Sequence, residues 1–517
     1  MIGAEALAGS LVGAGVPVCF MNPGTSEMHF VSALDSVPAM RGVLTLFEGV
    51  ATGAADGYAR IAGQPAAVLL HLGPGLANGL ANLHNARRAR SPIVCIVGAH
   101  ATGHVRYDAP LQSDIEALAR TVSGWVRTCG TTRDLAPDAM RAVCAARSSG
   151  GQIATLVLPA DVSWSEGGAV APPRAVAQPP AVADSQVRAA ADIVAGDGQA
   201  MLLLGGPALT ERGLLAASRI AAATGTRLLA ETFPARMECG AGLPAVERLA
   251  YLAEMAEAQL AGTSHLILAG ARSPVSFFAY PGRPGDLVPP GCAVTELADP
   301  SQDVEAALEH LAGLAAAGTE PVIGHPTAAA PQGGPLTALN LAAAVAATLP
   351  DRAIVVDEAN TSGIGLPGAL AAAPRHTLLT LTGGSIGQGL PVATGAAVAA
   401  PGRPVVSLQA DGSALYTIQA LWTQARERLD VTTVLINNAA YAILRMELAR
   451  TAAGHPGERA SRMLDLSGPT PDFTQLSAGL GVPAVRVTSA EGLGDALRLA
   501  SAEPGPHLIE AIVPPFA

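Results

Sequence analysis

The segment Pro404-Val405-Val406-Ser407-Leu408-Gln409-Ala410-Asp411-Gly412-Ser413 decides the fold once it is set beside Thr433-Val434-Leu435-Ile436-Asn437-Asn438. Each is a short aliphatic run that ends in small and polar residues, the pattern of a parallel strand buried on both faces. Between them, Ser413 to Leu429 carries Leu415, Ile418, Leu421 and Trp422 at roughly helical spacing. A strand–helix–strand unit places Asp411 and Asn438 side by side at the carboxyl ends of adjacent strands. Open α/β sheets bind ligands along that edge. A carboxylate and an amide oxygen are hard donors, which suits Mg²⁺, an ion that takes few protein ligands and completes its shell with phosphate and water. The pair therefore reads as a magnesium–diphosphate anchor. An Asx turn opening a capped helix, with no ligand, competes on equal terms when these residues stand alone.

Composition narrows the classes. The 517 residues suggest about three domains. Half are hydrophobic and only 14% charged, enough apolar surface for a large core. There is no lysine, so all 31 basic residues are arginine, which excludes Schiff-base chemistry and a Walker-type phosphate lysine. A net charge of −11 without basic clusters argues against nucleic acid and anionic membranes as partners. Cys19, Cys95, Cys129, Cys144, Cys239 and Cys292 show no metal-ligand spacing and read as small hydrophobes in a reducing compartment. The N-terminus lacks a basic region, and no apolar run reaches about 18 residues, so a cytoplasmic enzyme is expected.

Two Pro/Ala/Gly-rich stretches, Gly167–Ala183 and Ala317–Pro335, divide the chain into 1–166, 184–316 and 336–517. Strands are expected at 16–20, 42–46, 67–70 and 93–97 in the first segment. The second has them at 201–204 and 265–268, the third at 353–356, 405–408, 431–436 and 507–509. Strands alternating with helices predict an α/β fold of three doubly wound parallel-sheet domains. No G-x-G-x-x-G follows a first strand, which disfavours a nicotinamide oxidoreductase.

The wording DGSALYTIQALW…VLINNAAYAILR resembles the thiamine diphosphate (ThDP) enzymes, and within them benzoylformate decarboxylase and the acetolactate synthases. Their signature is GDG followed some two dozen residues later by NN; here Ala410 replaces the first glycine. The resemblance covers nearly the whole chain and implies pyrimidine-binding, central and diphosphate-binding domains, in that order. It implies metal ligation by Asp411, Asn438 and the Ala440 carbonyl, with Gly412, Ser413 and Tyr441 against the cofactor. Asn360 and Thr361, after the first strand of the third segment, suit the diphosphate at a helix N-terminus, or are N-caps only.

Glu48 ends an apolar strand and precedes Ala54-Ala55-Asp56-Gly57-Tyr58-Ala59-Arg60. By resemblance it hydrogen-bonds N1′ of the aminopyrimidine and activates the cofactor. In the glycine-dense loop Thr382–Pro391, the Gly384 carbonyl would accept from the 4′-amino group, and Ile386 would wedge the cofactor into its bent shape. The turn Asn22-Pro23-Gly24-Thr25-Ser26-Glu27 and His71 correspond to the decarboxylase's substrate-facing turn and strand-end histidine. The resemblance would thus make Thr25 a substrate contact and His71 a proton shuttle, where a lone strand-end histidine is otherwise structural, with Gln112 matching a site-lining glutamine of the synthases. Ile443 and Leu444 would line an apolar acceptor pocket, or form the core face of a helix.

Departures bear on the reaction. The decarboxylase's second histidine is replaced by aromatics in Ser276-Phe277-Phe278-Ala279-Tyr280, and the synthases' lysine and tryptophan are missing. The turn Gly205-Gly206-Pro207 resembles a flavin-binding region only faintly, and FAD stays unproven. The expectation is a ThDP- and Mg²⁺-dependent enzyme that decarboxylates a 2-keto acid and transfers the acyl unit, as acetolactate synthase does. The alternatives are aldehyde release, as in benzoylformate decarboxylase, and a non-catalytic paralogue that kept the scaffold. Segments one and three would hold their sites far apart if stacked through segment two, so a homodimer with cofactors between subunits, or a homotetramer, is what the resemblance implies.

Overall fold

A computed structural model of the chain describes residues 1–196, 198–324, 332–451 and 457–514; residues 325–331 of the second proline-rich stretch lie outside it. Three sheets form the frame. The first is wholly parallel, in the spatial order Arg41–Leu44, Val18–Asn22, Ala66–Leu70, Ile93–Ala99, Ile153–Pro159, Trp125–Thr128. The second, also parallel, runs Ala293–Ala298, His265–Ala269, Ala200–Leu204, Arg227–Ala230. The third runs Ala484–Val487, His507–Ile512, Val431–Asn437, Val405–Ala410, Ala353–Glu358, His376–Thr380, Met237–Cys239. Its last strand comes from the middle of the chain and is antiparallel. Near-continuous Val, Ile, Leu and Ala runs bury the inner strands between helices on both faces, as crossover connections require, while edge strands such as Trp125–Thr128 and Ala484–Val487 are partly exposed.

Two expectations need correction. The helix foreseen over 413–429 is two helices, Asp411–Thr417 and Ala420–Glu427, and Leu415 faces solvent. The first helix begins at Asp411 itself, directly off the strand. Segments one and three also do not stack through segment two. Helix Glu48–Ala62 lies directly on helix Gly389–Ala399, and one buried cluster runs from Phe20, Val68 and Cys95 to Ile354, Val392 and Val405. Small residues allow this approach. A Cβ at Gly57 would stand 2.1 Å from the Val392 carbonyl oxygen, and one at Gly395 would stand 1.8 Å from that of Ala54. The ground given for sites held apart in one chain therefore falls.

Arg60 fastens the same junction. Its guanidinium makes a bidentate pair with Asp56 (2.8 and 2.5 Å) and donates to the carbonyls of Thr380 (2.9 Å) and Ala235 (3.4 Å) and to the Thr382 hydroxyl (3.0 Å). One buried side chain thus touches all three segments. Arg60→Ala strands the wholly buried Asp56 carboxylate, and a loss of about 3 kcal/mol in denaturant unfolding is expected.

At the carboxyl edge of the central sheet, Glu231 accepts from the Gly206 amide (3.0 Å), with Arg90 and Arg272 nearby. Burial pushes its carboxyl up to about 7, against the arginines and that amide. The folded chain therefore binds this proton more tightly than the unfolded one. The contribution to stability is complete below the ordinary carboxylate range and is lost as pH rises through about 7. Discounted for the residue's partial exposure, the loss is on the order of 2 kcal/mol. Glu231→Gln should match the parent at pH 5 and exceed it at pH 8 in thermal unfolding.

Candidate active site

Both outer sheets have a topological switch point, where successive connections leave to opposite sides and open a crevice at the carboxyl edge. In the first sheet it lies between Val18–Asn22 and Ala66–Leu70, where Asn22 pairs with Leu70. The chain beyond Asn22 turns through Pro23 and Gly24 into a 3-10 turn, Thr25–Glu27, with Thr25 exposed. The chain beyond Leu70 reaches His71, the N-cap residue of helix Leu72–Arg88. His71 Nδ1 lies 2.8 Å from Glu27 Oε2, and the ring packs flat on Gly24, where a Cβ would stand 2.2 Å from Cγ.

Glu48 opens helix Glu48–Ala62, is 8% exposed, and accepts from Asn78 Nδ2 at 3.0 Å. It lies near the base of the His71 side chain. A Cβ on Gly75 would lie 3.5 Å from Glu48 Oε1 and 3.4 Å from His71 Cβ. Gln112 lies further along the edge, lining a cavity of about 460 Å³ with Leu72, His100 and Ser113.

In the third sheet the switch point lies between Ala353–Glu358 and Val405–Ala410. The register pairs Ala410 with Ile436, which sets Asp411 beside Asn437 and next to Asn438. Asp411 is 3% exposed, and its two oxygens accept from the backbone amides of Gly412 and Ala439, both at 2.8 Å. Burial pushes its carboxyl up, and these amides oppose the shift. Asn438 Oδ1 accepts from the Ala440 amide (3.0 Å), and its Nδ2 donates to Ser362 (3.3 Å). Asn360 and Thr361 begin a single 3-10 turn, Asn360–Gly363, rather than an α-helix, and Asn360 Nδ2 donates to Ser413 Oγ (3.0 Å). Tyr441 packs against Gly412, where a Cβ would stand 2.6 Å from its ring.

The glycine-dense loop is held from beneath. Glu358, fully enclosed and with its carboxyl pushed up by burial, accepts from the amides of Gly387 (2.7 Å) and Gly389 (2.5 Å) and from Gln409 Nε2 (3.1 Å). Gly384 sits at φ +73°, a conformation that leaves its backbone exposed, and the Phe277 ring reaches over it. Ile386 is half-buried beside it. Helix Ala442–Arg450 buries only Ala442; Ile443 is half-buried and Leu444 is 46% exposed, so this is not a core face.

The two edges meet through one helix. Asn82 Nδ2 donates to the carbonyls of Gly49 (2.8 Å) and Gly387 (3.2 Å). Asn85 Nδ2 donates to the Ser385 carbonyl (2.7 Å) and its Oδ1 accepts from the Ser385 amide (3.2 Å). Sequence reasoning missed Asn78, Asn82 and Asn85, and with them Glu27, Glu358 and Gln409. The asparagines recur at i, i+4 and i+7 in the helix, a polar stripe that marks a helix face with polar partners.

The donor set fits a diphosphate-bound Mg²⁺. Asp411, the Asn438 amide oxygen and the Ala440 carbonyl are all hard oxygens, and those on Asp411 and Asn438 keep a lone pair beyond the backbone bonds named. Among the described residues no group of three or more His, Cys, Asp or Glu is placed to hold a metal ion.

The family model described as thiamine pyrophosphate enzyme, N-terminal TPP binding domain, matches residues 1–119, and its C-terminal TPP binding domain counterpart matches 363–511. The chain belongs to the thiamine diphosphate-dependent enzymes. It is 62% identical over 516 residues, 99% of both chains, to IlvX of Mycobacterium tuberculosis, named for the acetolactate synthase large subunit. It is 28% identical to a benzoylformate decarboxylase of Pseudomonas aeruginosa, over 96% of each. The solved thiamine diphosphate-dependent 4-hydroxybenzoylformate decarboxylase of Rhodococcus jostii RHA1 superposes with a TM-score of 0.85 at 25% identity, covering 99% of each chain. Among the described residues no helix is long and apolar enough to cross a membrane.

Proposed function

We propose that the protein is a ThDP- and Mg²⁺-dependent enzyme that decarboxylates a 2-keto acid and transfers the remaining acyl unit to a second carbonyl compound. The observation that carries this reading is the register that sets Asp411 beside Asn437 and next to Asn438 at the carboxyl edge of the third sheet, while Glu48 and the base of His71 flank Gly75 at that of the first. When bound, ThDP supplies the electron sink for carbon dioxide loss. Asp411, Asn438 and the Ala440 carbonyl hold the metal, and Asn360 and Ser413 face the diphosphate. The Gly384 carbonyl and Ile386 orient the aminopyrimidine, and Glu48, steadied by Asn78, exchanges its proton with that ring. His71 moves protons at the keto carbon. Thr25, Gln112, Ile443 and Leu444 border the substrate space.

Transfer is favoured over simple release by the wall above Gly384. Phe277 over Gly384, with Phe278 packed on it, supplies an apolar surface where the decarboxylase's second histidine is expected. Release of an aldehyde is the second reading, favoured by the close His71–Glu27 pair, which suits proton delivery. The test is CO₂ release from pyruvate and from an aryl 2-keto acid with ThDP and Mg²⁺, with the organic products identified. A ligated hydroxyketone supports transfer; aldehyde alone supports the second reading. No ThDP-dependent CO₂ from any keto acid overturns both.

A further inference from the structure

Glu27 lies behind His71 with no place of its own in the reaction above. It is 1% exposed, at the end of the 3-10 turn that leaves the first strand. Its Oε2 accepts from the Gly24 amide at 2.9 Å and stands 2.8 Å from His71 Nδ1. Its Oε1 is buried without a hydrogen-bond partner, pressed against Gly98 so closely that a Cβ there would stand 1.6 Å away. A carboxyl group in so enclosed a place costs stability unless its position serves something. A helix cap needs only the bond to Gly24, which a solvent-exposed glutamate makes equally well.

We infer that Glu27 is a positioning residue that fixes the tautomer and the ring plane of His71, so that Nε2 is the nitrogen presented to substrate. The inference rests on the reading of His71 as the proton carrier. The Gly24 amide is a donor, so Oε2 is committed to accepting. With Oε2 as the carboxylate or carbonyl oxygen that an amide donor prefers, the second group at it donates as well, which puts the hydrogen of the neutral imidazole on Nδ1. This holds whether or not Glu27 carries a proton on Oε1. Gly24 completes the device, because its missing side chain lets the ring lie flat on the turn. The lone pair on Nε2 can then take a proton, and the imidazolium can return it, without a ring flip.

The test uses the full chain with ThDP and Mg²⁺, its histidines labelled with ¹⁵N, and long-range ¹H–¹⁵N spectra, with His71→Asn identifying the His71 signals. The wild type is expected to show the Nδ1–H tautomer. Glu27→Leu should lose it and lower kcat for CO₂ release by about 10–100-fold, as removal of an orienting partner does, with KM changed by less than about threefold. Glu27→Gln should keep the tautomer and most of kcat, because the Gly24 amide selects the carboxamide oxygen for the shared position. A wild-type Nε2–H tautomer overturns the inference, even where Glu27→Leu does not fold. So does an unchanged tautomer in a folded Glu27→Leu. If the tautomer responds as expected but the wild type releases no CO₂ from any keto acid, the pairing stands and the proposed reaction falls.

Discussion

Glu48→Gln should lower ThDP-dependent CO₂ release by about 10²–10⁴-fold, the usual weight of a positioned acid–base group. Glutamine keeps the volume of the side chain at the head of helix Glu48–Ala62 and can still meet Asn78. It cannot exchange a proton at neutral pH. The variant should therefore fold, keep its melting temperature within a few degrees and bind ThDP with Mg²⁺ nearly as the parent does. Single-turnover CO₂ release is the measurement. Retention of more than a tenth of the rate would remove Glu48 from the chemistry, and a wild type with no turnover to lose would point to a scaffold that binds without reacting.

Asp411→Ala should weaken metal-dependent ThDP binding at least ~100-fold, beyond what loss of an outer-shell partner does, because the only carboxylate of the donor set goes. Calorimetric titration of the metal-stripped protein with ThDP, with and without Mg²⁺, checks it. The carboxyl adds a sign to the expectation. Burial favours its neutral form, so protons compete with the cation for this carboxylate more strongly than for an ordinary one. Affinity for Mg²⁺ should fall as pH is lowered, with proton release on binding. Micromolar binding in the alanine variant would refute the anchor.

Which parts of this site could be read from the chain follows from the distance over which each signal acts. Asp411 and Asn438 were legible because a strand announces itself by local composition, and parallel pairing carries its end to a known edge. Glu48 was legible from one helix-entry phrase. Glu27 stood in plain view, and its capping bond to Gly24 is real. Its approach to His71, however, depends on Asn22 pairing with Leu70, a register no local pattern states. Asn82 and Asn85 find their acceptors some three hundred residues downstream, in a loop that sequence spacing cannot bring near. The break between Thr417 and Ala420 escaped because Leu415, Ile418, Leu421 and Trp422 keep helical spacing across it, although Leu415 is not buried. For Leu444 two readings stayed open, pocket wall or core face, since apolar character does not reveal which way a helix faces; its exposure removes the second.

The glycine and alanine seam between helices Glu48–Ala62 and Gly389–Ala399 bears on how the protein is made. At roughly 5–20 residues per second, a ribosome that has released residue 62 needs tens of seconds to reach residue 399. During that interval the first sheet can form, but Val50, Ala51, Ala54 and Ala55 have no complete cover, because part of their enclosing surface has not been synthesised. The nascent chain is thus obliged to display a sticky, nearly uncharged ridge until its last third arrives. Residues 1–166 made alone would never meet that last third and should precipitate, or be held by chaperones.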